Sequence, residues 1–211
     1  LLFDIDETNV KIVGVDGFRL AVRKENINLG KKISFVVSAK TIGEAVKIIN
    51  DNDEEIEFFI GRRHVALSVD GYSIISRKIE GEFINYNKIM PSSYSTTAKV
   101  NTKELISIIE RISLIINDQI KTIMRCKIEK ESMTYSCATA VGKVTDIYKT
   151  EVIGEEFEIG INNRFLLDAL KVCETEEVTM NFNGSFSSII ILPKEGDDFI
   201  YMVMPMRLKA E

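Results

Sequence analysis

The stretch Asn162-Asn163-Arg164-Phe165-Leu166-Leu167-Asp168-Ala169-Leu170-Lys171 reads as a capped helix. An asparagine precedes an apolar stripe of Phe165, Leu166, Ala169 and Leu170. A second helix stands 124 positions earlier, with Ser38 where Asn162 stands, Lys40 where Arg164 stands and Lys47 where Lys171 stands. Its stripe is Ile42, Ala45, Val46 and Ile49, running through Asn50. The strands around the two helices follow one order. Before the first come Leu1–Asp6, Val10–Val15, Phe18–Arg23 and Ile33–Val37, with Glu7-Thr8-Asn9 and Asp16-Gly17 as turns. After it come Ile56–Ile60, His64–Val69 and Tyr72–Ile79. Before the second come Ile120–Ile128, Met133–Ala138, Val144–Val152 and Phe157–Ile161. After it come Val178–Phe182, Ser187–Leu192 and Phe199–Met204, with Asn183-Gly184 predicted as a tight hairpin turn. Gly184 falls 123 positions after Gly61.

A repeat of this length is a domain, so the expected fold is α+β in two similar copies. Two unlike α+β domains in coincidental order are the alternative. Gly81–Thr97, with Pro91 and a run of Ser, Tyr and Thr, reads as the linker. Beyond it Asn101 or Thr102 caps a helix with Leu105, Ile108, Ile109, Ile112, Ile115 and Ile116 on one face. The first copy shows no such helix. With Leu rather than Met at position 1, the expectation is a fragment whose helix and neighbouring strand lie upstream.

The 211 residues are 45% apolar and 28% charged, enough to bury a core. Twenty-seven basic against 32 acidic residues give a net charge of −5, which excludes a uniformly basic nucleic-acid binder but not a basic face. No apolar run is long enough to span a membrane, and no signal peptide opens the chain. Cys126, Cys137 and Cys173 are odd in number and widely spaced, which points to a reducing compartment.

Catalytic signals are weak. His64 is the single histidine, so a multi-histidine metal site is excluded, although a Cys–His pair in space stays open. Asp4, Asp6 and Asp16 read better as a solvated sheet face than as a metal set. Phosphate-loop, dinucleotide, nucleophile-elbow and zincin motifs are absent, so neither catalytic residues nor a metal or cofactor is expected. Asn183-Gly184-Ser185 matches a glycosylation sequon but reads as turn chemistry. Lys40 and Lys47 share a helix face, as do Arg164 and Lys171, and Glu44 and Asp168 stand four residues after the first of each pair. These faces are ordinary solvated surface or weak, sequence-blind phosphate contacts. The end, Met202-Val203-Met204-Pro205-Met206-Arg207-Leu208, groups three adaptable methionines, and Pro205 stops the strand.

Three segments, together with Asn162–Leu167, resemble one family. Val15-Asp16-Gly17-Phe18-Arg19-Leu20-Ala21-Val22 is similar to T-D-G-H-R-L-A-V. Gly81-Glu82-Phe83-Ile84-Asn85-Tyr86 with Ile89-Met90-Pro91 is similar to G-R-F-P-D-Y followed by V-L-P. Val203-Met204-Pro205-Met206-Arg207-Leu208 is similar to a terminal V-M-P-M-R-L. The family is the bacterial DNA polymerase III beta subunit, the sliding clamp. The resemblance runs to Leu208, and Lys209-Ala210-Glu211 extend past the usual end.

The resemblance implies a DNA-clamp fold, with helices on one side and antiparallel sheets on the other. Residues 1–90 would be a truncated second domain and 91–211 the third. It implies a non-enzymatic processivity factor that in full length closes around duplex DNA as a ring homodimer. Its partners would be the polymerase III alpha subunit, the clamp loader and other polymerases or repair proteins, bound through short peptides. No membrane is involved, and the place is the bacterial cytoplasm and nucleoid. Carried over by motif, the peptide pocket is Val15, Gly17, Phe18, Arg19 and Leu20, with Ile84, Lys88 and Ile89. Asn162 and Phe165 form its edge. Ser188, Met202, Met204, Pro205, Met206, Arg207 and Leu208 close it. Lys40, Lys47, Arg164 and Lys171 would face DNA, and Leu114 and Ile115 a neighbouring subunit. Val15 for Thr, Phe18 for His, Ile84 for Pro and Met202 for Val make the pocket more apolar, which shifts selectivity toward Leu and Phe anchors. Without a first domain the fragment is expected to be monomeric or to associate non-natively. The alternative class is a small-ligand enzyme built from two repeated domains, and a third is a self-associating structural protein.

Overall fold

A computed structural model describes residues 1–50, 56–116 and 123–208. The start of the strand predicted over Ile120–Ile128 and the tail Lys209-Ala210-Glu211 lie outside the described residues. The chain forms two compact units. One is Leu1–Val15 with Val22–Ile89, and the other is Asp16–Ala21 with Met90–Glu211.

The elements of the first stretch are β1 (Leu2–Ile5), β2 (Asn9–Val15), β3 (Arg19–Asn26), β4 (Ile33–Val36), α1 (Ala39–Val46), β5 (Glu57–Ile60), β6 (His64–Val69) and β7 (Tyr72–Arg77), then a 3₁₀ turn at Tyr86–Lys88. The strands lie in the orders β3-β2-β1-β4 and β5-β6-β7. Period-two alternation turns Phe3, Ile5, Phe35 and Val37 inward, where Val65 joins them. The Phe3 and Phe35 rings stack at 5.1 Å, and Phe58 tilts against both. The β1–β2 turn is closed by Asp6, whose Oδ1 accepts the Thr8 and Asn9 backbone N–H groups at 2.9 Å. The Thr8 bond leads in holding the Asp6 carboxyl below its ordinary range. Asp6 is thus a turn residue.

Next come β8 (Thr96–Asn101), α2 (Thr102–Ser113), β9 (Met124–Glu129), β10 (Ser132–Thr139), β11 (Gly142–Lys149), β12 (Val152–Gly154), β13 (Phe157–Ile161), α3 (Asn163–Lys171), β14 (Glu177–Phe182), β15 (Ile189–Pro193) and β16 (Phe199–Val203). One sheet has the order β11-β10-β9-β13, matching β3-β2-β1-β4 strand for strand. The other contains β12-β8-β14-β15-β16, in which β14-β15-β16 match β5-β6-β7. Among the described residues, β8, α2 and β12 have no counterpart in the first stretch. They close a large core of α2 and α3 over both sheets, including Leu105, Ile109, Ile112, Tyr135, Leu166 and Phe182.

Four expectations change. The linker predicted to Thr97 ends earlier, because β8 begins at Thr96. Val144–Val152 is two strands: β11 pairs with β10, and after Thr150-Glu151 the chain enters the other sheet as β12 beside β8. The helix predicted over Ser38–Asn50 stops at Val46, having buried only Ala45. Asn183-Gly184 is no tight turn but opens a loop to Ser188. There Asn183 is engaged elsewhere: its Oδ1 accepts Ser95 N at 2.8 Å and its Nδ2 donates to Ser93 O at 2.8 Å.

No helix among the described residues is long and apolar enough to cross a membrane. Burial pushes the Cys126 thiol up to about 12, so it is no thiolate nucleophile at neutral pH. His64 is exposed at the start of β6.

Candidate functional site

In the second unit, Asp16–Leu20 makes a tight corner. Gly17 takes φ +84°, a left-handed conformation that glycine adopts without a Cβ penalty. Asp16 Oδ1 accepts the Phe18 and Arg19 N–H groups, both at 3.1 Å. Leu20 is buried, and Phe18 is thrown outward, 63% exposed. Partial burial raises the Asp16 carboxyl, but the Arg19 guanidinium and the two N–H donors outweigh it and hold the group below its ordinary value.

The α3 helix supplies the facing surface. Asn162 Oδ1 accepts Phe165 N at 3.2 Å and fixes the first turn. Leu166 and Leu170 are buried, which leaves Phe165 half-buried and Asp168 exposed. The Phe165 ring stacks on Phe18 with centroids 6.1 Å apart and planes at 29°. Arg19 Cζ lies 4.6 Å from the Phe165 centroid, a cation–π distance. Its Nε is 2.8 Å from Asp16 Oδ2 and its Nη1 is 2.6 Å from Asp168 Oδ2. The Asp168 bond leads in raising the Arg19 pKa.

The C-terminal segment completes the rim. Met204 N donates to Phe18 O at 2.8 Å, and Met206 N donates to Gly160 O at 2.8 Å. A Cβ on Gly160 would stand 2.4 Å from Met206 O and 3.0 Å from both Ile123 Cγ2 and Leu208 Cδ2. Only glycine lets the strap lie this close. Met204 is 39% exposed beside the aromatic pair. Pro205, Met206 and Leu208 are half-buried, and Arg207 is exposed. Met202 is buried, so it is not an open wall residue. Ser188 is half-buried at the end of a loop whose Phe186 is 82% exposed.

In the first unit, Val15, Ile84, Lys88 and Ile89 are all exposed, the last two at the end of the 3₁₀ turn. The four cations expected to face DNA have varied surroundings. Lys40 and Arg164 are exposed on α1 and α3. Lys47 caps α1 and pairs with Glu44 at 2.8 Å. Lys171 pairs with Glu110 of α2 at 2.6 Å. Leu114, at the end of α2, is exposed, whereas Ile115 packs partly against the core. The i,i+4 pairings read from the sequence do not form as expected, since Glu44 takes Lys47 and Asp168 takes Arg19.

The second unit therefore brings together Gly17, Phe18, Arg19, Leu20, Asn162, Phe165 and the strap from Met204 to Leu208. The surface is apolar, aromatic and thioether in character, and the Arg19 guanidinium is already paired. It suits binding of an apolar side chain. Asp16, Gly160 and Asp168 were not among the expected site residues. Only the turn-forming Asp16-Gly17 pair could have marked one of them locally.

The profile of the DNA polymerase III beta subunit, central domain, matches residues 1–85, and that of the C-terminal domain matches residues 87–207. The beta sliding clamp of Staphylococcus aureus (strain Mu50) is 26% identical over 208 residues, covering 96% of this chain and 55% of the relative. The DNA polymerase sliding clamp of Bacillus subtilis superposes with TM-score 0.93 at 25% identity, covering 99% of this chain and 56% of that one. The beta subunit of Thermotoga maritima gives TM-score 0.89 at 31% identity, covering 99% and 57%. The chain thus spans little more than half the length of these relatives. With both domain profiles matched in order and the fold shared throughout, the chain belongs to the DNA polymerase III beta subunit family, the sliding clamps.

Proposed function

We propose that this chain is the peptide-binding and DNA-tethering part of a sliding clamp, with residues 1–90 as the second clamp domain and 91–211 as the third. Family members are accessory, non-catalytic subunits, and the small-ligand enzyme reading is set aside. In full length the protein encircles duplex DNA as a ring dimer in the bacterial cytoplasm and holds polymerase on its template. The alpha subunit, the clamp loader and repair proteins reach it through short apolar peptides. Lys40, Lys47, Arg164 and Lys171 contact phosphates only, weakly and with strong salt dependence, because a ring that slides must not read bases. Leu114 and Ile115 belong to the subunit interface. The 211-residue chain alone is monomeric, and a stable dimer in light scattering would contradict this.

The observation that carries the peptide reading is the exposed Phe18 stacked on half-buried Phe165 and pinned to the strap by the Met204 N–H bond to Phe18 O. An aromatic surface beside methionines accepts Leu and Phe side chains, and a few such desolvated contacts supply most of the affinity. Ser188 and Met202 extend the site within the second unit. The test is fluorescence anisotropy with a labelled Gln-Ala-Ala-Leu-Phe peptide. Binding is expected to be lost on Met204→Ala with Leu208→Ala. No binding by the folded wild-type chain would overturn the assignment.

A further inference from the structure

Arg19 lies over the Phe165 ring, at the edge of the aromatic pair. An unpaired guanidinium there would offer a ligand carboxylate a bidentate fork of N–H donors. Two carboxylates already hold it, Asp16 on Nε and Asp168 on Nη1. Asp16 is part of the corner that positions Arg19. Asp168 reaches it from α3 and lies 149 positions away along the chain. It is half-exposed and outside the core. An exposed pair of this kind adds little to stability. Its effect falls on the charge the rim presents. Held by two carboxylates, Arg19 offers no free positive charge and stays against the ring.

We propose that Asp168 is a specificity-determining positioning residue. By holding Arg19 on Phe165, it leaves the Phe18–Phe165 shelf without a free cation and disfavours peptides with a carboxylate beside their apolar anchor. This rests on the peptide-binding reading above. Arg164 and Arg207 are also exposed in this unit. They stay constant across the comparison that tests the idea.

The experiment titrates the full 211-residue chain with two labelled peptides, Gln-Ala-Ala-Leu-Phe and Gln-Ala-Asp-Leu-Phe, at low salt. Asp168→Asn keeps the side chain's shape and removes its charge. It is expected to raise the acidic-to-neutral affinity ratio by roughly fivefold, the ceiling for an exposed charge pair. Adding Arg19→Ala should return the ratio to the wild-type value, and 0.5 M salt should flatten the difference. Asp168→Ser serves as a second variant with the same expected shift. If both peptides bind and the ratio stays put in both Asp168 variants, the proposal fails while the peptide site stands. If the ratio rises equally with Arg19 removed, Asp168 acts by simple repulsion, and the positioning role is wrong. If neither peptide binds the wild-type chain, the peptide site and this proposal fall together.

Discussion

Val46 and Leu170 hold the same place in the two copies of the repeat, yet Val46 is 60% exposed and Leu170 is 0% exposed. Their helices begin alike, one residue after Ser38 and Asn162. What differs is cover. In the second unit α2 lies against α3, with Asn163 Nδ2 donating to Ser113 Oγ at 2.7 Å and Lys171 paired to Glu110. Among the described residues, the first unit has no helix in that position. Identical strand order therefore does not give identical energetics. A helix stripe becomes core only when a second element removes it from water. The α1 helix, which buries one alanine, is accordingly shorter than its stripe predicts.

The most severe test of this contrast is a matched truncation. Leu170→Ala should destabilise the second unit by about 2–5 kcal/mol, as expected for a fully buried leucine. Val46→Ala should cost under about 0.5 kcal/mol. Urea unfolding followed by hydrogen exchange on each helix reads both values. Equal losses would mean that α1 is as well covered as α3.

A second pair sharpens the comparison at the straps. Ile79 N donates to Val36 O and Met206 N to Gly160 O, both at 2.8 Å, and Val36 and Gly160 are repeat partners. The first site tolerates a valine. The second has a carbonyl 2.4 Å from where a Cβ would stand. Gly160→Ala should cost about 1–3 kcal/mol by overpacking and weaken the model peptide at least tenfold. Val36→Ala should cost about 1 kcal/mol or less. Thermal unfolding with anisotropy on the same samples decides this, and unchanged binding by Gly160→Ala would show that the strap can shift freely.

The smallest effect lies at the caps. Asn162 Oδ1 holds Phe165 N, whereas Ser38 makes no side-chain cap bond. Asn162→Ala should cost about 1 kcal/mol and Ser38→Ala almost nothing, both measurable as shifts in urea midpoint. A comparable loss at Ser38 would count against the cap geometry.

These contrasts also explain what the chain revealed before its fold was known. The α3 helix was readable because an asparagine cap and four spaced apolar residues coincide. The paired strands were readable because turn residues punctuate alternating runs. Strand β8 was hidden because its buried face is Thr96, Ala98 and Val100, small and hydroxyl-bearing residues inside a Ser/Thr-rich stretch. Phe18 and the Met-rich strap stand out through family-like segments. Asp168 does not, because a carboxylate four residues after Arg164 looks like an intrahelical partner. Its actual partner, Arg19, is 149 positions away, and no local window contains both. Gly160 was invisible for a similar reason, since the carbonyl that demands it belongs to Met206.

The short corner Asp16–Ala21 is sewn into the unit made by the other end of the chain. The rim is thus written in two blocks of the gene, with a whole domain's worth of codons between them. A recombination event between Ala21 and Met90 would graft the aromatic corner of one parent onto the helix and strap of another. Arg19 would meet an unselected residue at position 168, and the Met204 backbone would dock on an unfamiliar turn. Cutting at the apparent linker is no cleaner, since a piece starting at Met90 leaves Phe18 and Arg19 behind. Chimeras of this fold will trade binding preferences intact only when both blocks travel together.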